Sequence, residues 1–405
     1  MARRAGSFFS RNRSVFSLGL VALMISSLGD LLAGATLGFM TDTLDLLPGL
    51  MILIPPAIGM RGNIFGALGS RLGTAMHMGT FEVSLRPRSI LRQNMESSLI
   101  LTLIMSLLMG ILAKIVADLF GTPSISMQDF VFISVLGGVL AGLILFVINV
   151  AVARAGFKRN WDVDNISAPL ITAAGDIVTL PMLFLAAIMV LDAPPILIDI
   201  FFALFIAATL ALTFLLFRKG QKAVKRVVRH SFPVLTLCVA LDLVAGLTID
   251  HQLESLVALP ALLVLIPPFL EDANALGGIL TSRFTTLLHM GQMEPAGVPG
   301  AAARENFAIT YVFALWVFTL VGVSSYAVAW AMGLSSPPLW DMVALTLVAG
   351  LMTVTVLNIV AYYVAVMTYR MNLDPDDHSI PLTSSAVDMI GSFALIGTIL
   401  LMGLG

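Results

Sequence analysis

Eleven long apolar stretches run through the chain, near 15–39, 47–79, 95–119, 129–153, 168–190, 196–217, 232–249, 256–290, 306–332, 341–368 and 381–403. A helix needs about 20 mostly apolar residues to cross the hydrocarbon of a bilayer. Lipid admits only helices or closed barrels, and these runs are too long and too uniformly apolar for the alternating strands of a barrel. The pattern therefore predicts an all-α polytopic membrane protein with 11 transmembrane helices. Composition agrees with it. Of the 405 residues, 58% are hydrophobic and 11% charged, against roughly 25% charged in a soluble domain, so most of the surface must meet lipid. Mean hydropathy is +0.98. A net charge of −2 gives no reason to expect a nucleic-acid partner, and the lone Cys238 excludes an intramolecular disulfide or a cysteine-built zinc site.

Basic residues set the expected orientation. With the N-terminus in the cytoplasm, the inside segments are 1–14, about 80–94, 154–167, 218–231, 291–305 and 369–380. These hold Arg3, Arg4, Arg11, Arg13, Arg86, Arg88, Arg92, Arg154, Lys158, Arg159, Arg304 and Arg370, and the dense run Arg218, Lys219, Lys222, Lys225, Arg226 and Arg229. The segments left outside carry no Lys or Arg. The expectation is a multi-pass protein of the plasma membrane with its C-terminus outside, its basic run against anionic lipid. The basic start followed by an apolar run imitates a secretory signal, but that run carries Asp30 and has a repeat partner in mid-chain.

That partner belongs to an internal repeat. Residues 54–82 read IPPAIGMRGNIFGALGSRLGTAMHMGTFE, and 266–294 read IPPFLEDANALGGILTSRFTTLLHMGQME; at an offset of 212, twelve of the 29 positions are identical. The same offset pairs Asp30 with Asp242, Asn94 with Asn306, Pro169 with Pro381 and Asp176 with Asp388. Each repeat holds five spans with one helix between them, so both enter the membrane from the same side, related by a pseudo-two-fold axis along the membrane normal. The expected organisation is a basic N-terminus, 1–14; a first five-helix repeat, 15–191; a linking helix and basic cytoplasmic loop, 192–231; and a second repeat, 232–405. Such an axis defines a central pathway, and an internal pseudo-dimer that can act as a monomer.

A carboxylate at a helix centre costs about 2.5–3.5 kcal/mol on insertion scales, which makes it a functional candidate. Asp176, in PLITAAGDIVTLP, and Asp388, in PLTSSAVDMIGS, would converge if the fifth span packs near the axis. Hard oxygen ligands suit Mg²⁺ or Ca²⁺, and Mg²⁺ keeps several waters while one or two carboxylates hold it. Thr172 and Ser384, one turn earlier, would offer hydroxyls to those waters; the alternative is acids that cap or pair within the bundle. Asp30 and Asp242 are candidates for a second or coupling site, or for hydrogen bonds to a neighbouring broken helix. Pro55–Pro56 should break or kink the long second span, and carbonyls freed near Pro55–Asn63 could line a cavity. Asn63 is a pore ligand or an interhelical hydrogen bond, and Asn274 is its shifted counterpart. Where the first repeat has Gly59 to Asn63, the second has Glu271, Asp272, Ala273, Asn274 and Ala275, so Arg61 could pair with Glu271 or Asp272 across the axis. Arg71 and Arg283, with Ser70, Ser282, His77 and His289, lie toward the cytoplasmic end. Asp162, Asp164, Asp374, Asp376 and Asp377 fit helix-start chemistry or an acidic inner mouth.

PPAIGMRGNIFGALGSRLGTAMHMG resembles the second-helix signature of the MgtE-type magnesium transporters and their eukaryotic solute-carrier relatives. DVDNISAPLITAAGD and DPDDHSIPLTSSAVD are similar to the same family's fifth-helix motif. The resemblance covers both repeats and implies Mg²⁺ transport, with Asp176 and Asp388 matching the pore aspartate. It also implies the solute-carrier arrangement, two units fused through a linking helix, rather than the bacterial dimer of one unit. Gating by the bacterial type's cytosolic Mg²⁺-sensing domains is not carried over. Asn274–Ala275 stands out of register with the Gly–Asn pair, which implies different roles for Asn63 and Asn274.

The expected function is a transporter for Mg²⁺ or another divalent cation, with no resident cofactor, moving a largely hydrated ion between the repeats. A Na⁺-coupled Mg²⁺ exporter, with Asp30 or Asp242 in the coupling site, is the alternative. An intramembrane aspartyl protease built on Asp30 and Asp176 is a distant one, because neither acid sits in Gly-x-Gly-Asp; a receptor or scaffold without transport is another.

Overall fold

The computed structural model describes residues 13–159, 163–373 and 378–404, and among them every regular element is helical. The first repeat comprises α1 (Arg13–Phe39), a short α2 (Thr41–Leu46), a 3₁₀ turn (Leu50–Leu53), α3 (Ile54–His77), α4 (Ile90–Phe120), α5 (Met127–Arg159) and α6 (Val163–Asp192). The linking helix is α7 (Pro195–Lys219). The second repeat comprises α8 (Lys222–Asp250), a short α9 (Leu253–Ala258), α10 (Pro260–His289), α11 (Ala301–Ala331), α12 (Leu339–Arg370) and α13 (Ile380–Leu401). Ten helices among the described residues are long and apolar enough to cross a membrane. They correspond to the expected spans from the second onward; α1 occupies the place of the first and is not one of the ten. The basic run expected in a loop is the end of α7 and the first turns of α8.

The second spans depart from the expectation of one kinked helix. In the first repeat the break comes earlier: Gly49 adopts φ 78°, the 3₁₀ turn follows, and α3 begins at Ile54 with the prolines in its first turn. There a missing N–H interrupts no hydrogen bond within α3 itself. In the second repeat Pro260 opens α10, and Pro267 and Pro268 lie inside it. The chain also breaks at equivalent leucines, Leu47 (φ −122°, ψ 77°) and Leu259 (φ −125°, ψ 76°).

Burial sorts the helices into centre and rim. Of the ten long apolar helices, α3 and α10 are the most buried and α7 the least. Ile196, Ile200, Leu204, Leu210 and Phe214 of α7 are exposed, as suits a helix whose outer face meets acyl chains. With no hydrophobic force acting between helices in lipid, close approach falls to small residues. A Cβ on Gly110 would lie 2.8 Å from Val131 Cα, joining α4 to α5, and one on Gly322 would lie 2.8 Å from Val343 Cα, joining α11 to α12. Both pairs obey the 212 offset, so the repeat in sequence is a repeat in packing.

The two repeats are stitched together at their first helices. A Cβ on Gly34 of α1 would lie 2.1 Å from the carbonyl oxygen of Val264 in α10, and one on Gly246 of α8 would lie 2.4 Å from that of Ile52. Again the positions are 212 apart. Ile52 and Val264 stand four residues before Pro56 and Pro268, whose missing N–H groups leave those carbonyls without helical donors. Each repeat therefore presents its proline-freed carbonyl to a glycine of the other, where any side chain would collide with it.

Candidate functional site

Asp30 and Asp242 lie one turn before Gly34 and Gly246, so the stitched contact fixes both acids beside the second helices. Asp30, Asp176, Asp242, Asp272 and Asp388 are all buried, and Glu271 is half-buried. On α8 and α13, Asp242 and Asp388 converge on the backbone of α3. A Cβ on Gly59 would lie 3.0 Å from Asp242 Oδ2 and 3.4 Å from Asp388 Oδ2. Asn274 Nδ2 donates to Asp388 Oδ1 at 2.9 Å, and Ser27 Oγ donates to Asp272 Oδ2 at 2.5 Å. Ser26 Oγ reaches Asp30 Oδ2 at 3.4 Å, a long bond. Oδ1 of Asp30, Asp176 and Asp272 makes no hydrogen bond among the described residues, and Ser385 lies beside Asp242.

Charge ties the six acids into one group. Asp176 lies within electrostatic reach of Asp388, Asp30 and Glu271, and Asp388 within reach of Asp242 and Glu271. The group is wide rather than tight. Among the described residues, no three His, Cys, Asp or Glu side chains stand close enough together to hold a metal ion directly.

The proposed ion pair of Arg61 with Glu271 or Asp272 is not formed. Arg61 is buried and turned away, with Nη2 donating to Ser106 Oγ at 2.8 Å and lying against Gly138 of α5. Its Nε and Nη1 make no hydrogen bond among the described residues. Glycine at 138 leaves room for a guanidinium on that side, and Asp272 is already held by Ser27. A buried guanidinium so sparsely satisfied is costly, and an apolar residue of similar length is tolerated or better. Arg61→Met is therefore expected to melt in detergent at or above the wild-type temperature; a clear drop would sink this account.

Asn63 and Asn274 take different roles, as their register implies. Asn274 holds Asp388, whereas Asn63 Nδ2 has no partner among the described residues, and Asn63 lines a small pocket with Ala67, Arg71, Leu235 and Pro381. Ser384 is half-buried, one turn before Asp388. Arg71 Nε donates to Asn94 Oδ1 at 2.8 Å, so this arginine clamps α3 to α4. Asp162, Asp374, Asp376 and Asp377, and the side chains of Asp164, Thr172 and His77, lie outside the described residues.

Three contributors escaped the sequence reading: Ser27, Gly34 and Gly246. Ser27 has Val239 as its repeat counterpart, so no signal marked it. Gly34 and Gly246 did carry one, since each follows its aspartate by four residues in both repeats. From the acidic group, one face of each central helix opens progressively. Gly62, Gly66 and Ser70 of α3 are half-buried and Thr74 exposed; Glu271, Ala275 and Gly278 of α10 are half-buried and Ser282 exposed. A Cβ on Gly278 would meet nothing within 4 Å.

Two fused helical repeats with acids buried where they meet make a multi-pass membrane protein with a candidate cation site between its halves. The family model for MgtE, described as a divalent cation transporter, matches residues 54–186 and again 266–398, the two matches lying 212 residues apart. The chain belongs to this family. It is 25% identical to rat solute carrier family 41 member 3 over 409 residues, covering 93% of this chain and 84% of the relative. It is 24% identical to mouse and 23% identical to human solute carrier family 41 member 2, each covering 93% of this chain and 68% of the relative. No solved structure matches. Membership makes the protein a transporter of divalent cations, with Mg²⁺ the ion supported.

Proposed function

We propose that the protein moves largely hydrated Mg²⁺ along a pathway between its repeats, with Asp176 and Asp388 as the carboxylates that capture the ion. One observation carries this reading. Six carboxylates gather where the repeats meet, and the only buried Lys or Arg among the described residues, Arg61, is turned to Ser106. Such a group attracts cations and repels anions. Mg²⁺ dehydrates reluctantly and is held through one or two carboxylates with its waters kept, which suits a wide acidic group. Ser384, and Thr172 by its sequence position, would receive water ligands. The partly open faces of α3 and α10 give the route toward the ends at His77 and His289, the side taken as cytoplasmic in a plasma-membrane protein whose N-terminus is inside. Each chain contains both halves of the pathway, so the transport unit is one chain.

A Na⁺-coupled Mg²⁺ exporter is the second reading, favoured by the further acids Asp30 and Asp242, which would hold the coupling ion. Mg²⁺ flux into proteoliposomes, with and without a Na⁺ gradient, tests both. Wild-type flux should fall to the level of empty vesicles in the Asp176→Asn, Asp388→Asn double variant. A Na⁺ requirement would select the exporter, and well-folded wild type that carries no Mg²⁺ under either gradient would end both readings.

A further inference from the structure

We propose that Glu271, supplied by the second repeat alone, determines the preference of this site for divalent over monovalent cations; the inference rests on the reading of Asp176 and Asp388 as the capturing pair. The repeat offset makes Glu271 the counterpart of Gly59. Gly59 is where the oxygens of Asp242 and Asp388 close on α3. The equivalent place in the other half, beside Asp30 and Asp176, carries a carboxylate instead of a hydrogen atom.

Position singles Glu271 out among the six acids. It lies close enough to Asp30, Asp176, Asp242, Asp272 and Asp388 to repel every one of them. The other five are buried; Glu271 keeps accessible surface, and it heads the face of α10 that opens through Ala275 and Gly278 to Ser282. It is thus the carboxylate that an ion travelling along that face meets as it enters or leaves the group. Its neighbours differ in how far protein engages them. Ser27 holds Asp272, Asn274 holds Asp388 and Ser385 lies beside Asp242, whereas one oxygen of Asp30 and of Asp176 makes no hydrogen bond among the described residues, and Asp242 aims an oxygen at Gly59.

The consequence for selectivity follows from charge. The attraction between Glu271 and an ion scales with the charge of that ion. Removing the carboxylate while keeping its shape should therefore weaken divalent binding by the square of the factor by which it weakens monovalent binding. Two sources of negative charge would remain in the capturing pair, so binding should weaken without vanishing.

The experiment measures Mg²⁺ uptake into proteoliposomes and its competition by K⁺, for wild type, Glu271→Gln, Glu271→Asp and the Asp176→Asn, Asp388→Asn double variant. Glu271→Gln should raise the half-saturating Mg²⁺ concentration about tenfold and the competing K⁺ concentration about threefold, the ratio expected when one unit charge is lost from a site of fixed shape. Glu271→Asp keeps the charge on a shorter arm and should lie between Glu271→Gln and wild type for both ions, which a merely structural side chain would not produce. Size-exclusion elution of each variant reports folding, and if Glu271→Gln does not fold, the valence dependence is read from Glu271→Asp. Equal weakening for both ions, or no weakening, in the folded variants overturns the role of Glu271. If instead the double variant transports like wild type, the capturing pair itself is wrong and the inference falls with it.

Discussion

Gly59→Leu is expected to bring Mg²⁺ flux down to the level of empty vesicles while leaving the protein folded. The Cβ of any side chain at 59 arrives 3.0 Å from Asp242 Oδ2 and 3.4 Å from Asp388 Oδ2, so a leucine places its branched end among the carboxylates. An apolar group there would keep the proposed ion and its waters from the acids without offering them a partner, and buried carboxylates left in that condition are costly to keep charged. The rest of α3 has no reason to move, because the crowding is with side-chain oxygens rather than with backbone. Flux assays paired with size-exclusion elution check it. A Gly59→Leu protein that elutes normally and still carries Mg²⁺ would mean that the ion passes elsewhere.

Gly246→Leu should act on the fold instead of the flux. Its Cβ would arrive 2.4 Å from the carbonyl oxygen of Ile52, 2.9 Å from Ile52 C and 2.9 Å from Ile52 Cα, all backbone atoms. Helix α8 would have to withdraw from the first repeat, taking Asp242 with it. Overpacking of this kind costs about 3 kcal/mol or more when backbone must shift. Thermal melting in detergent should drop sharply for Gly246→Leu and for Gly34→Leu, and hardly at all for Gly278→Ala, which points into open space. Equal melting temperatures across the three would refute the account of how the repeats are joined.

The helices were legible because lipid imposes a length and a composition that show as uninterrupted apolar runs. The equivalence of Asp176 with Asp388 and of Asp30 with Asp242 between the repeats was legible from a single constant offset. Other features were hidden for identifiable reasons. Apolar periodicity says which residues are inside a bundle but not which helix lies beside which, so the placement of α1 against α10 could not be read. Arg61 looked like a partner for Glu271 because opposite charges stood at related positions. Its direction depends on Ser106 and Gly138, which belong to helices that no pattern linked to it. Pro55 and Pro267 are identical in sequence context, yet one opens a helix and the other lies within one, because the left-handed turn at Gly49 has no counterpart at Ala261.

The reciprocal glycine contacts between the repeats have an evolutionary consequence. A surface in which position 34 meets 264 while 246 meets 52 is self-complementary, the kind by which two identical subunits associate around a two-fold axis. A single five-helix ancestor could have met its own copy through it before any duplication joined the two. Two identical copies must carry the same residue at equivalent positions. A fused chain is free of that constraint, and it can hold glycine at 59 and glutamate at 271.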